Sequence, residues 1–323
     1  MPKITLMPEG INAGFAGVNG SPERRGVVRG LTQGAARRNK RWLMSIDQRA
    51  LTGIPVTFTL TVRDIPGSCE EWTAAKKALL MRFRRYGALR CHWVMEWTKR
   101  GRPHLHGIVF LPVYKNQPGR LVGKVWEVFT PALFVEWWSE VAGRWGVSAR
   151  GQHVQIGRKT NTAWLRYMAK HASRGVGHYQ RQAESVPEGW KTTGRMWGVM
   201  GDDWPLHAEK HDLPTWAFHH LRRQVRRMIR SKARVLVTSK NPHQVKQGRA
   251  MLAYLEGLTR RPLKDGKPIP VAAWVELSTR LGISEWVPFE VSVELIDGIF
   301  RNMVPPDEPH RLDRMEQLRE AYG

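Results

Sequence analysis

The stretch Cys91-His92-Trp93-Val94-Met95-Glu96-Trp97-Thr98-Lys99-Arg100-Gly101-Arg102-Pro103-His104-Leu105-His106-Gly107-Ile108-Val109-Phe110-Leu111 decides how this chain folds. It holds two apolar, aromatic and β-branched runs, 91–98 and 104–111, parted by a five-residue polar segment, 99–103, with glycine and proline. That pattern predicts a β-hairpin. Side chains alternate on a strand, so His104 and His106 share one face and Leu105 takes the other. Two imidazoles on one strand face can hold a divalent cation, but a third ligand is needed. If Glu96 pairs with His106, and Thr98 with His104, Glu96 joins both imidazoles; the turn length permits that register without fixing it. Two imidazoles, one carboxylate and open positions suit Mn²⁺ or Mg²⁺ bound to a substrate phosphate, and zinc less well. The bland alternative makes both histidines ordinary polar residues on a solvent face.

Outward from the hairpin the pattern stays legible. Residues 56–62 (Val-Thr-Phe-Thr-Leu-Thr-Val) alternate as a strand. In 70–86, Trp72, Ala75, Leu79, Leu80 and Phe83 recur at helical spacing and end before Gly87. Thr130-Pro131 reads as the N-cap and first position of a helix running towards Gly146. Residues 152–156 form a short strand, and Asn161 or Thr162 caps a helix through Tyr167 to about Ser173. The order β-α-β-β-α-β predicts an α+β fold, an antiparallel sheet flanked by helices in a ferredoxin- or RRM-like layout.

Composition divides the chain. Residues 1–41 carry seven Gly, eight Lys or Arg and two acids, with Phe15 the one aromatic, and are expected to be a mobile basic arm. Twelve of the fifteen Trp lie between Trp42 and Trp204, marking 42–205 as the main folded domain. Residues 206–323 are expected to be a mainly helical, basic accessory DNA-binding region.

Lys and Arg number 52 against 28 Asp and Glu, a formal net charge of +24. A chain so basic meets a polyanion, and nucleic acid is the commonest one. No acid falls between Asp212 and Glu256, while Leu221, Val225, Met228 and Ile229 make an apolar helical stripe. Arg222, Arg223, Arg226, Arg227 and Arg230 cover the rest of that helix and are expected to contact phosphates; an ordinary solvated helix is the alternative. The two cysteines, Cys69 and Cys91, make no CxxC pair, which excludes a thiolate zinc framework and fits a reducing compartment. No run of about 18 apolar residues and no secretory leader is read, so no membrane partner and a cytoplasmic location in a bacterial host are expected. No Gly-x-x-x-x-Gly-Lys-Ser/Thr occurs, so no nucleotide cofactor is expected.

On the last helix of this α+β frame, Tyr167, Lys170 and His171 stand at i, i+3 and i+4, on one face. A tyrosine hydroxyl, with its ordinary pKa near 10, attacks phosphorus only with help from neighbouring positive charge. A core tyrosine beside a snorkelling lysine is the alternative.

Together these segments resemble the HUH endonuclease superfamily, and within it the single-tyrosine rolling-circle replication initiators of filamentous phages and plasmids. Phe58-Thr59-Leu60-Thr61-Val62 resembles the first family motif, Pro103-His104-Leu105-His106-Gly107 the second, and Tyr167-Met168-Ala169-Lys170 the third. Gly194-Arg195-Met196-Trp197-Gly198-Val199 looks like a segment that follows the nuclease core in those proteins. Two-tyrosine relatives carry Tyr-x-x-x-Tyr, whereas here His171 holds the second position; Tyr179 is the alternative second nucleophile.

The resemblance implies metal-dependent nicking of single-stranded or supercoiled origin DNA. Tyr167 would form a 5′-phosphotyrosine link and free a 3′-OH primer, with Lys170 stabilising charge. Later rejoining, and a host helicase and polymerase as partners, are implied as well. The rival readings are a transposase or relaxase using the same chemistry, a metal-dependent hydrolase, and a non-catalytic single-strand-binding protein stacking bases on its tryptophans.

Overall fold

The computed structural model describes residues 1–15, 29–157, 168, 186–258, 260–261, 263–264, 267–271, 274 and 281–302. The chain forms two compact units: Pro22–Leu206, and Met1–Ser21 with His207–Gly323.

In chain order the strands are β1 (Pro2–Met7), β2 (Gly10–Phe15), β3 (Ile54–Thr61), β4 (Arg90–Trp97), β5 (Pro103–Leu111), β6 (Val113–Tyr114), β7 (Gln117–Val122), β8 (Val125–Val128), β9 (His153–Ile156), β10 (Trp197–Met200), β11 (Glu209–Asp212), β12 (Leu263–Lys264), β13 (Lys267–Pro268) and β14 (Ile283–Glu285). Among the described residues the α-helices are α1 (Gln33–Met44), α2 (Cys69–Tyr86), α3 (Pro131–Ala142), α4 (Thr215–Val237), α5 (Pro242–Gly257) and α6 (Phe289–Asn302).

The Pro22–Leu206 unit is built on a sheet of order β10-β4-β5-β3-β9, antiparallel at every pairing. Strand β5 lies between β4 and β3, so those two run parallel and α2 crosses between them; β5 and β9 run parallel on either side of β3. These are two split βαβ units in the ferredoxin-like strand order, the α+β layout expected. Along the sheet one face is apolar: Val56, Phe58 and Leu60 of β3, Cys91, Trp93, Met95 and Trp97 of β4, and Leu105, Val109 and Leu111 of β5 join one buried core with α2 and α3. Ser68 and Gly87 cap α2, and Thr130 caps α3 ahead of Pro131. Trp72 of α2 meets Trp138 of α3 edge-on, ring centres 5.5 Å apart. The other face of the sheet carries Thr59, Thr61, His92, Glu96, His104 and His106.

Several boundaries differ from expectation. The hairpin loop is 98–102 rather than 99–103, because Trp97 pairs with Pro103. Helix α3 ends at Ala142 and continues only as a 3-10 turn to Trp145. The sheet gains an edge strand, β10, and a separate three-stranded sheet, β6-β7-β8, is inserted in the chain between β5 and α3. The helix expected over 161–173 lies outside the described residues, apart from Met168, which is helical and buried.

Over its described residues, 1–15 and 29–41, the expected mobile arm at 1–41 is corrected. Strands β1 and β2 form a hairpin within a sheet of order β11-β1-β2-β14, and α1 is a capped helix. Ile4, Leu6, Ile11 and Ala13 are buried with Leu213, Phe218, Leu221, Val225, Ile296 and Ile299 of the same unit. Those apolar partners lie two hundred or more residues away in sequence, so composition near the N-terminus could not reveal them. The region after residue 206 correspondingly contributes strands as well as helices.

Candidate metal centre

The site face forms where β4, β5 and β3 lie side by side. Glu96 pairs with His104 and Val94 with His106, while on the other flank Thr61 faces His104 and Thr59 faces His106. The expected pairing of Glu96 with His106 is therefore off by two residues. A slip of two keeps every side chain on its original face, because the pleat repeats every second residue. The three proposed ligands remain together.

His104 Nε2 and His106 Nε2 stand 2.6 Å apart, with the rings crossing at 85°. Glu96 Oε2 is 3.6 Å from His106 Nε2, and Glu96 is fully buried. The three ligand atoms all lie within 4.8 Å of one another. At this distance one imidazole, as its Nε2–H tautomer, hydrogen-bonds to the lone pair of the other. A modest parting of the rings would turn both nitrogens and the adjacent carboxylate towards one ion. The donor set of two nitrogens and one oxygen thus fits a divalent cation.

Thr59 Oγ1 lies 2.9 Å from His106 Nδ1. When the threonine oxygen accepts the Nδ1 proton, Nε2 is left as a lone-pair donor, the tautomer a metal ligand requires. The sequence carried this partner in its Thr-rich strand, but only the β3–β5 register assigns it. Farther along β4, on the same face, His92 is buried. Its Nε2 lies 2.9 Å from Asn39 Oδ1, and its ring stacks on Trp42 of α1 at 5.1 Å and 10°. Burial pushes the His92 pKa down to about 3, so this imidazole is neutral and structural.

Tyr167, Lys170, His171 and Tyr179 lie outside the described residues. The five expected phosphate-binding arginines lie on α4 in two environments. Arg223, Arg227 and Arg230 are exposed, whereas Arg222 and Arg226 are half-buried. Arg222 donates from Nη1 to the Leu281 carbonyl at 3.1 Å and packs over the Phe218 ring. Among the described residues no helix is long and apolar enough to cross a membrane.

Residues 55–175 match the family model for replication-associated protein ORF2/G2P. A protein of Xylella fastidiosa strain 9a5c, provisionally named a replication protein, is 38% identical over 90% of this chain and 94% of its own length. Its counterpart from strain Temecula1 is 41% identical over 65% of this chain and 75% of its own. The replication-associated protein G2P of Pseudomonas phage Pf3 is 36% identical over 82% of this chain and 83% of its own. No solved structure matches. With identity above a third sustained over most of both chains, and the paired histidines inside the matched segment, the chain belongs to the replication-associated protein ORF2/G2P family.

Proposed function

We propose that this protein initiates rolling-circle replication by nicking single-stranded or supercoiled origin DNA through a tyrosine. The observation that carries the reading is the convergence of Glu96, His104 and His106 on one sheet face. Those residues would hold Mn²⁺ or Mg²⁺, which when bound polarises a non-bridging oxygen of the scissile phosphate. Tyr167 attacks the phosphorus through its phenolic oxygen, releasing its hydroxyl proton to solvent. The new bond joins tyrosine to the DNA 5′ phosphate, the bond from phosphorus to the 3′ oxygen breaks, and the departing oxygen takes a proton to become a 3′-OH primer. Lys170 stabilises the charge on the attacking and departing oxygens. The phosphotyrosine bond keeps the phosphodiester's energy, so strands are rejoined by the reverse attack without a nucleotide cofactor. His171 and Tyr179 are accessory candidates on the same segment.

The basic charge and the arginines of α4 supply affinity for the DNA backbone, and a host helicase and polymerase extend the primer in the bacterial cytoplasm. A non-catalytic single-strand binder would have little use for a fully buried carboxylate set against two imidazoles. The deciding experiment incubates the protein with 5′- or 3′-labelled origin DNA and Mn²⁺, then runs a denaturing gel. A covalent protein–DNA adduct, absent in Tyr167→Phe while DNA binding persists, is the expected result. A free 5′ phosphate without adduct would identify a hydrolase instead.

A further inference from the structure

Helix α1 presents a charge pattern that the nicking chemistry leaves unused. Between Glu23 and Asp47 the sequence has seven basic residues and no acid. Thr32 caps the helix, its side chain accepting from the Ala35 amide at 3.2 Å. The helix is then bolted to the sheet through its other side: Asn39 is buried against His92, Trp42 stacks on the same imidazole and meets Trp204 edge-on at 4.7 Å, and Leu43 and Met44 are buried. This docking leaves Arg37, Arg38 and Arg41 exposed.

Elsewhere in the same unit Arg63, Arg82, Arg120 and Arg144 lie against carboxylates, while the exposed Arg84 and Arg85 at the end of α2 form no ion pair among the described residues. Arg37, Arg38 and Arg41 have no carboxylate partner among the described residues; Arg37 has only the Gln33 side-chain oxygen, at 3.4 Å. Three uncompensated guanidinium groups crowded on little more than one helical turn repel one another, a cost that a polyanion removes.

Their position gives the polyanion a place. His92, to which α1 is fixed, and Glu96, a member of the metal triad, lie on one face of β4 four residues apart. At about 3.3 Å per residue the point where α1 is anchored lies about 13 Å along β4 from Glu96. The helix therefore stands on the same face of the sheet as the triad, within reach of a strand spanning a few nucleotides at roughly 3.4 Å each.

We propose that α1 is a phosphate-binding helix. Arg37, Arg38 and Arg41 grip the backbone of the DNA strand a few nucleotides from the phosphate to be cut, without reading its sequence. The inference rests on the nicking reading for its substrate, but its test does not require nicking.

The full-length protein is titrated with a fluorescent single-stranded oligonucleotide containing the origin, with excess chelator so that no chemistry occurs, over a range of salt concentrations. Replacing all three arginines by Gln should flatten the plot of log affinity against log salt by about two units, at roughly 0.7 per single-strand phosphate. Replacing all three by Lys should preserve the slope, since charge rather than fork geometry is at work. A neutral methylphosphonate placed within four nucleotides of the cleavage position should weaken wild-type binding and leave the Gln variant unaffected. If the Gln variant melts earlier than wild type, Arg38→Glu alone is measured in the same way. An unchanged salt slope in a folded variant overturns the inference. A lowered slope in a protein that forms no adduct with Mn²⁺ would instead keep the phosphate helix and remove the nicking reading.

Discussion

Phe58 and Gly107 face each other across β3 and β5, and the phenyl ring fills the space a side chain at 107 would need: a Cβ there would lie 2.0 Å from Phe58 Cζ. The glycine that follows the histidine pair is thus a packing requirement. It lets an aromatic residue lie flat against the strand that carries the ligands. Gly107→Ala should destabilise the Pro22–Leu206 unit by about 1–3 kcal/mol through overpacking. Urea unfolding followed by tryptophan fluorescence checks the value. The same substitution in a Phe58→Leu background should cost less, because the smaller side chain can withdraw; equal costs in both backgrounds would show that the ring is not the obstacle.

Thr59 is the hydrogen-bond partner of His106 Nδ1, and with the threonine oxygen as acceptor it leaves Nε2 free to bind a metal. Thr59→Val keeps the shape and β-propensity of the residue but removes the oxygen 2.9 Å from Nδ1. Mn²⁺ affinity, followed by the loss of the free-ion electron paramagnetic resonance signal, should fall roughly 10–100-fold, the usual effect of losing an orienting partner. Thr59→Ser should recover most of it.

Metal removal should abolish adduct formation, and added Mn²⁺ should restore it. His104→Ala, His106→Ala and Glu96→Gln should each lose activity while their far-ultraviolet circular dichroism matches wild type. Full activity in excess chelator would dismiss the metal centre. Because Glu96 is fully buried, Glu96→Gln is chosen over Ala to avoid a cavity beside the imidazoles.

His92 makes stability acid-sensitive. Its folded-state pKa is about 3, from burial, against about 6.5 for an unfolded histidine. Above pH 6.5 both states hold the neutral ring and the residue adds no pH dependence. Between 6.5 and 3 the unfolded state binds a proton that the folded state refuses. Stability should therefore fall with falling pH, by up to about 1.4 kcal/mol per unit from this residue. Denaturant midpoints at pH 7 and pH 5 measure the loss. His92→Gln, which cannot titrate, should show a smaller decline, and an identical decline would assign the acid sensitivity to other groups.

The arginines of α4 should separate by environment. Gln at Arg223, Arg227 and Arg230 should lower the salt slope of single-strand binding by about 0.7 unit for each phosphate no longer neutralised, with little effect on melting. Arg222→Gln should instead lower the melting temperature, because its guanidinium serves the Leu281 carbonyl and the Phe218 ring. A slope unchanged by the triple substitution would make α4 a solvated helix.

Much of this architecture is carried by local pattern. The alternation in 56–62, the helical spacing between Trp72 and Phe83, the Thr130-Pro131 cap and the histidine pair each depend on near neighbours, and each produced its element within a few residues. The candidate metal triad of Glu96, His104 and His106 was legible despite a wrong hairpin register, because a two-residue slip preserves the pleat face. Strand β10 was harder to see: Trp197-Gly198-Val199-Met200 is only four residues long, and its place beside β4 depends on Gly198 giving way to the Trp93 ring.

By itself the sequence determined which residues share a face: His104 with His106, Trp72 with Phe83, and the arginines with one another along α4. Period 2 and period 3.6 are properties of the backbone and need no partner. Tertiary structure alone decided what each face meets. It paired Glu96 with His104, gave Thr59 to His106, and made strands of 2–15 through apolar partners near the other end of the chain. It also turned Asn39 and Trp42 onto His92, leaving Arg37, Arg38 and Arg41 outward. Such contacts join residues far apart in sequence, and they form because burying both apolar surfaces at once offsets the entropy of closing the long loops between them.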